Sequence, residues 1–357
     1  MKEKLKVKSS KLEVQKIFLL LATCYLLLAT VSSCVPQKEK VYRKSKILMD
    51  TLITISAVSD SGDKADLAIE KAFSEIEKLD KLLNFFSDKS ELSEINKNAG
   101  KKAVKVSPET FEVIERAIYA SEKTGGAFDV TIGTEITLWD FHNKVKPEDK
   151  AIRERLSLVN YKGILLNKRA SSVYLNKKGM LIDLGGIAKG YAADKAVEVM
   201  KKKGIKSGLV SVAGDIKAFG LKPDGKPWKI GIKNPRAKNE DDEIMATIEL
   251  TDMAISTSGD YERYFIIEGK RYHHILNPKT GYPADGCRSV SIIAKDGAIT
   301  DPFSTGIFTL GAEKGMKLLE EMGLDGIIVD KDGKIHTTSN LRGKIEIRGS
   351  QGQKRNN

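Results

Sequence analysis

The chain has 357 residues, 41% of them apolar, with ordinary glycine and proline usage, which suits one large domain or two smaller ones and excludes disorder throughout. The formal charge is +12; the first 33 residues hold six lysines against two glutamates, and without them the excess is a moderate +8. That excess is explained by solvated faces and a basic tail, and no stretch resembles a nucleic-acid module, so no nucleic-acid partner is expected.

Residues 1–33 read as a secretory signal, with Lys2, Lys4, Lys6, Lys8, Lys11 and Lys16 ahead of the apolar run Ile17 to Ala29. The ending Val31-Ser-Ser-Cys34 has the form of a bacterial lipobox, whose cysteine takes a diacylglycerol and becomes the first residue of the mature chain. Cys34 is therefore the expected lipid anchor, and the chain is expected to be exported and held on the periplasmic side of the membrane. The competing reading is an uncleaved span, but the uncharged stretch from Ile17 to Ser33 is short of the ~20 residues a bilayer needs. With Cys24 and Cys34 so assigned, Cys287 is the only other thiol, which forbids an internal disulfide and carries no chemical role. The expected organisation is a signal (1–33), a tether (34–45), a folded domain (46–342) and a basic polar tail (343–357).

Lys46 to Val58 alternates well enough to predict a strand. From Asp63 to Phe85 the apolar residues Leu67, Ala68, Ala72, Ile76, Leu79, Leu82 and Leu83 recur at three and four, predicting an amphipathic helix. Another helix is predicted from Ser107, a good N-cap followed by Pro108 and Glu109, to a stop at Gly125-Gly126. From Ser172 short strands dominate, among them Met180–Leu184, Gly208–Val212, Trp228–Lys233 and Val290–Ala294. Helices interrupt them at Ile187–Lys203, after Asp301, and at Ala312–Met322. Strand runs with inserted helices predict an α+β fold with a mainly antiparallel sheet.

In Met180-Leu-Ile-Asp-Leu-Gly-Gly-Ile-Ala-Lys-Gly-Tyr-Ala-Ala-Asp194 an apolar strand ends in two glycines and a helix begins at once, its first N–H groups free to face an anion. A tight connection with no ligand has the same glycines. Lys189 adds to the case for phosphate, because a cation in a first turn opposes the macrodipole by about 0.3–1 kcal/mol. Asp183 could bind a ligand or tie down the turn. In Asp301-Pro-Phe-Ser-Thr305 a carboxylate and two hydroxyls share one side of a helical turn, a donor set for Mg²⁺, although Asp301 before Pro302 would also serve as an N-cap. His273 and His274 should point to opposite faces, so at most one faces a site. Phe86 to Asn96 and Val212 to Lys217 read as polar loops, and Asp330-Lys-Asp-Gly333 as a hairpin turn.

Taken in order, Met49-Asp-Thr, Phe86-Ser-Asp-Lys-Ser-Glu-Leu, Gly126-Ala-Phe-Asp-Val, Asp183-Leu-Gly-Gly-Ile-Ala-Lys-Gly, Ala213-Gly-Asp, Ser256-Thr-Ser-Gly-Asp-Tyr, His274-Ile-Leu-Asn-Pro-Lys-Thr-Gly and Asp301-Pro-Phe-Ser-Thr resemble the FAD:protein FMN transferase family, ApbE. The resemblance runs from about Met49 to Arg342. It implies a fold related to the tunnelling fold, FAD as donor and Mg²⁺ as cofactor. It also implies transfer of FMN to a Thr or Ser hydroxyl of an acceptor flavoprotein, such as a subunit of a membrane redox complex, with release of AMP. Matched by position, Gly186 (through its carbonyl), Asp301, Ser304 and Thr305 would hold the metal. Met49, Phe86, Ala127, Phe128, Asp129, Asp183, Lys189 and Ile275 would contact FAD, and His274 would be the general base, with a nearby Asp as its rival. Two positions depart from the family pattern: Phe86 stands where some members have Tyr, and Asp50 replaces a usual Gly. Hydrolysis of FAD to FMN and AMP by the same site is the alternative activity.

Overall fold

The structure is a computed structural model that describes residues 38–239 and 243–348. Chain contacts divide at Glu39, and the folded body starts at Lys40. The signal segment, Cys34 and the end of the basic tail lie outside the described residues. No described helix is long and apolar enough to cross a membrane.

Branched and apolar residues at alternate positions suit a pleated, half-buried surface. They build β1 (Lys40–Leu48), β2 (Thr51–Ser59), β3 (Ser207–Val212), β4 (Asp215–Phe219), β5 (Ala254–Gly259), β6 (Cys287–Ala294), β7 (Asp325–Asp330) and β8 (Ile335–Thr337). These strands join side by side in that order, every pair antiparallel. The helices are α1 (Gly62–Leu83), α2 (Glu91–Lys97), α3 (Pro108–Lys123), α4 (Gly133–Ile136), α5 (Asp149–Leu156), α6 (Ala188–Lys202), α7 (Gly297–Leu310) and α8 (Ala312–Met322). The predicted α+β class therefore holds.

Alternation along β2 shows how the layers form. Ile53, Ile55 and Ala57 enter the main core with α1 residues such as Ala68, Ile69 and Phe73. Val58 points the other way, into a second core with Trp228, Ile230 and Ile248. The latter belong to a three-stranded sheet of Trp228–Lys233, Ile244–Leu250 and Ile345–Ile347. Helices α1, α6 and α7 pack together on the main-core side.

Several expectations need correction. Phe86 to Asn96, read as a polar loop, carries most of α2, which starts at Glu91 with Ser90 as its N-cap and buries Leu92 and Ile95. Lys46 to Val58 is not one strand but the end of β1, a two-residue turn at Met49-Asp50, and β2. Both turn residues have positive φ, 51° and 54°, as a type I′ hairpin requires, and without glycine the turn leaves no mark in the sequence. The tether is shorter than 34–45, because β1 begins at Lys40. The segment read as a tail from 343 contributes the strand Ile345–Ile347, paired with Ala246–Ile248. Met180–Leu184 forms only a bridge, Leu181 to Ile132. Its backbone is satisfied elsewhere: Leu181 N–H by Thr134 Oγ1, Ile182 N–H by Asn96 Oδ1 and Asp183 N–H by the Val130 carbonyl.

Candidate active site

The site is organised by the crossing of α6 and α7. A Cβ on Gly190 would lie 2.1 Å from the Gly297 carbonyl oxygen, and one on Gly297 would lie 2.4 Å from the Gly190 oxygen. Only glycines permit this backbone approach. Asp194 of α6 then caps α7, its carboxylate accepting from the N–H groups of Gly297 and Ala298 at 2.9 and 3.0 Å.

This start settles the alternative for Asp301. The helix begins at Gly297, so Asp301 sits within it and is no N-cap, and Pro302 is interior. Asp301 is 3% exposed, and its carboxylate faces α6. Its Oδ2 accepts from Gly190 N–H at 3.1 Å, and both oxygens lie 3.3 Å from Lys189 Nζ. Lys189 also reaches Asp215 Oδ2 at 2.9 Å and the Gly185 carbonyl at 3.3 Å. The cation that opposes the α6 dipole is thus answered within the chain by two carboxylates.

Burial pushes the Asp301 carboxyl up to about 7, with neighbouring Asp215 adding to the rise and Lys189 opposing it. Burial works against the Lys189 ammonium, yet Asp215 and Asp301 together raise it above its ordinary value, so it stays charged. Burial likewise raises Asp183, eased by the Gly185 N–H bonded to its Oδ1 at 2.8 Å.

A hydroxyl cluster adjoins the carboxylates. Ser258 Oγ, from β5, lies 2.8 Å from Ser304 Oγ and 3.0 Å from Thr305 Oγ1, and Ser304 donates to the Asp301 carbonyl at 2.7 Å. A Cβ on Gly186 would lie 3.7 Å from Thr305 Oγ1 and 3.1 Å from the Phe128 ring. Gly186, Asp301, Ser304, Thr305 and Phe128 are therefore brought together. Among the described residues no group of three or more His, Cys, Asp or Glu could hold a metal. A cation here would rest on one carboxylate, hydroxyls and a carbonyl, hard oxygens that leave positions for water and phosphate.

The two histidines separate as alternation requires. His273 is buried and fully used, Nε2 donating to the Ala284 carbonyl at 2.7 Å and Nδ1 accepting from Ile275 N–H at 3.3 Å. His274 Nδ1 lies 3.3 Å from the Arg263 carbonyl, which can only accept, so Nδ1 carries the hydrogen and Nε2 keeps its lone pair. Burial, then Arg263 and His273, lower His274 to about 3, so it is neutral at neutral pH. Lys189 adds a smaller contribution to that lowering.

Ala127, Phe128 and Ile275 are buried. The Asp129 carboxylate is spent on its own loop, accepting from Thr131 N–H and Oγ1 and from Tyr161 N–H. Met49 and Phe86 share no hydrogen bond with the carboxylate cluster and form a second group, joined to each other through Asp80 and Asn84. Asp215 and Ser258 were not among the predicted site residues, although both lie in motifs that carried the resemblance. Val212 to Lys217, read as a loop, is the β3–β4 turn that presents Asp215. A carboxylate after glycine at a strand end was the only signal. Cys287 is buried, its thiol pushed up to about 12 by burial.

Fold and site together define an α+β enzyme in which a helix crossing and the β3–β4 turn gather two buried carboxylates, a lysine and paired hydroxyls, a donor set suited to a phosphorylated cofactor. The chain belongs to the ApbE family, whose family model matches residues 49–328. A Treponema pallidum protein named FAD:protein FMN transferase is 31% identical over 90% of this chain and 93% of its own length. One of the same name from Klebsiella pneumoniae is 34% identical over 85% and 94%. Among solved structures, the ApbE protein of Thermotoga maritima superposes with a TM-score of 0.79 at 34% identity, covering 85% of this chain and 99% of that one. The flavinyl transferase ApbE of Pseudomonas stutzeri gives 0.76 at 28% identity, covering 86% and 97%.

Proposed function

We propose that this chain transfers the FMN moiety of FAD to a Thr or Ser hydroxyl of an acceptor flavoprotein and releases AMP, with Mg²⁺ as cofactor. The observation that carries the reading is the pair of buried carboxylates, Asp301 and Asp215, bridged by Lys189 beside the hydroxyls of Ser258, Ser304 and Thr305. Buried charge of this kind is costly for folding, and reaction sites are where it is kept.

Asp301, Ser304, Thr305 and the Gly186 carbonyl would hold Mg²⁺, which when bound supplies charge neutralisation at a diphosphate. Lys189, kept protonated by its two carboxylates, presents fixed positive charge to the FAD phosphates. Asp183 and the buried segment Ala127-Phe128-Asp129 line the flavin side. His274, neutral and with Nε2 free to accept, takes the proton of the incoming hydroxyl as its oxygen bonds to the FMN phosphorus. The acceptors are subunits of membrane redox complexes, and the enzyme meets them from an exported, lipid-anchored position set by acylation of Cys34. Lipid labelling that persisted in Cys34→Ala would sink the anchor assignment.

The deciding experiment incubates the protein with FAD, Mg²⁺ and a candidate acceptor and follows covalent flavin fluorescence in a denaturing gel alongside AMP release. Asp301→Ala should abolish Mg²⁺-dependent labelling; full labelling by that variant would remove Asp301 from the metal site. Free FMN with AMP and no labelled acceptor would make the protein a hydrolase instead.

A further inference from the structure

We propose that Asp80 is a positioning residue for the flavin donor, acting through Asn84 to hold Met49 and Phe86 in place. The inference rests on the reading above that Met49 and Phe86 contact FAD.

Asp80 lies in the last turn of α1, where a carboxylate opposes the helix dipole by about 0.3–1 kcal/mol, so the helix itself gains nothing from it. Its oxygens are committed elsewhere. Oδ2 accepts from Met49 N–H at 3.2 Å, and Oδ1 accepts from Asn84 Nδ2 at 3.2 Å. Asn84 Oδ1 in turn accepts from Phe86 N–H at 2.9 Å. Three hydrogen bonds thus join the β1–β2 turn to the segment after α1. Both ends need the help. Met49 holds φ 51°, which costs a side-chain-bearing residue about 1–2 kcal/mol. Phe86 is 78% exposed, its ring in T-shaped contact with Phe85 at 5.3 Å, so the anchored backbone sets where that ring is offered.

The bonding has a parity that makes the idea testable. Met49 and Phe86 each offer a backbone donor, so each needs an oxygen. The remaining atoms of residues 80 and 84 then meet each other, and they match only if one residue is Asp and the other Asn. Asp80→Asn leaves one donor facing another somewhere along this chain of bonds, between the two amides or against Met49 or Phe86 N–H, whichever way either amide is turned. Asn84→Asp leaves two carboxylate oxygens face to face. The exchange Asp80→Asn with Asn84→Asp restores all three bonds with the polarity reversed.

Steady-state transfer is measured with the full chain, FAD and acceptor, for each single variant, the exchanged pair and Phe86→Ala, with thermal melting alongside. Each single variant should raise the KM for FAD by roughly five- to tenfold, the loss of one to two net hydrogen bonds. The kcat at saturating FAD and the KM for acceptor should stay within about twofold. The exchanged pair should return to within about twofold of the parent in KM. If the single variants lower only the melting temperature and leave the KM for FAD alone while Phe86→Ala raises it, Asp80 is structural and the proposal is wrong. A folded exchanged pair that keeps the single variants' KM overturns it as well. If Phe86→Ala itself leaves the KM unchanged, the assignment of Phe86 to FAD fails, and the positioning role falls with it.

Discussion

Gly190→Ala perturbs the crossing on which the site depends. The added methyl would sit 2.1 Å from the Gly297 carbonyl oxygen and 2.9 Å from Asp301 Cβ. The first neighbour is backbone and cannot rotate away, so α6 and α7 must part by more than about 1 Å to reach ordinary van der Waals contact. Overpacking against backbone should cost about 3 kcal/mol. In a body of this size that corresponds to a melting temperature lower by roughly 4–6 °C. Separation also breaks the Gly190 N–H bond to Asp301 Oδ2 and moves that carboxylate away from Gly186, so the Mg²⁺ concentration for half-maximal AMP release should rise about tenfold. Gly214→Ala is the stability control, since a Cβ there meets nothing within 4 Å. A Gly190→Ala protein that melts within about a degree of the parent and keeps its Mg²⁺ dependence would show that the crossing does not set the site.

Three other outcomes follow from the same geometry. Lys189→Met leaves Asp215 and Asp301 without their shared counter-charge. Because the Lys189 side chain retains 30% exposure, the stability loss should fall at the low end for a broken buried pair, about 2–3 kcal/mol, and added Mg²⁺ should raise the melting temperature more than in the parent. Glu135 is buried with neither carboxylate oxygen bonded among the described residues, and burial pushes it up to about 7 from 4.5. Between those values the folded protein binds more protons than the unfolded chain, so stability falls as pH rises. Glu135→Leu should therefore gain up to about 3 kcal/mol above pH 7 and progressively less toward pH 4.5, and a pH-independent gain in melting temperature would contradict the assignment. Asp50→Gly relieves a φ of 54° and should stabilise by about 0.5–1 kcal/mol in urea unfolding, whereas destabilisation would mean that the Asp50 side chain holds the turn.

The parts of the fold that follow local rules were legible. Ser107 caps α3 through Thr110 N–H with Pro108 in the first turn, and Gly323 ends α8 in the left-handed region. The apolar stripe of α1 is its buried face at Ala68, Ala72, Ile76, Leu79 and Leu83, but Leu67 lies off it and is 54% exposed. Where local signals fail, long-range pairing supplied the structure. Met49-Asp50 turns without glycine because β1 and β2 pair on both sides of it. Met180–Leu184 reads as a strand but finds its partners in side chains of Asn96 and Thr134, which no periodicity predicts.

The site divides along the same line. Asp301, Ser304 and Thr305 share a helix side, and spacing alone reveals that. What spacing cannot reveal is what faces them. Lys189 in a first turn looks like an unpaid debt to the helix dipole, and from sequence the natural creditor is a bound phosphate. The chain instead answers it with Asp215 from the β3–β4 turn and Asp301 from α7, 112 positions away. This internal answer alters what the lysine can contribute. A fully solvated, unpaired lysine would have to be ordered and stripped of water when a diphosphate arrived, whereas Lys189 is already only 30% exposed, charged and aimed by two fixed carboxylates. The cost of ordering it is met in folding, before any substrate binds, and that is the condition under which a fixed charge favours a transition state over a ground state.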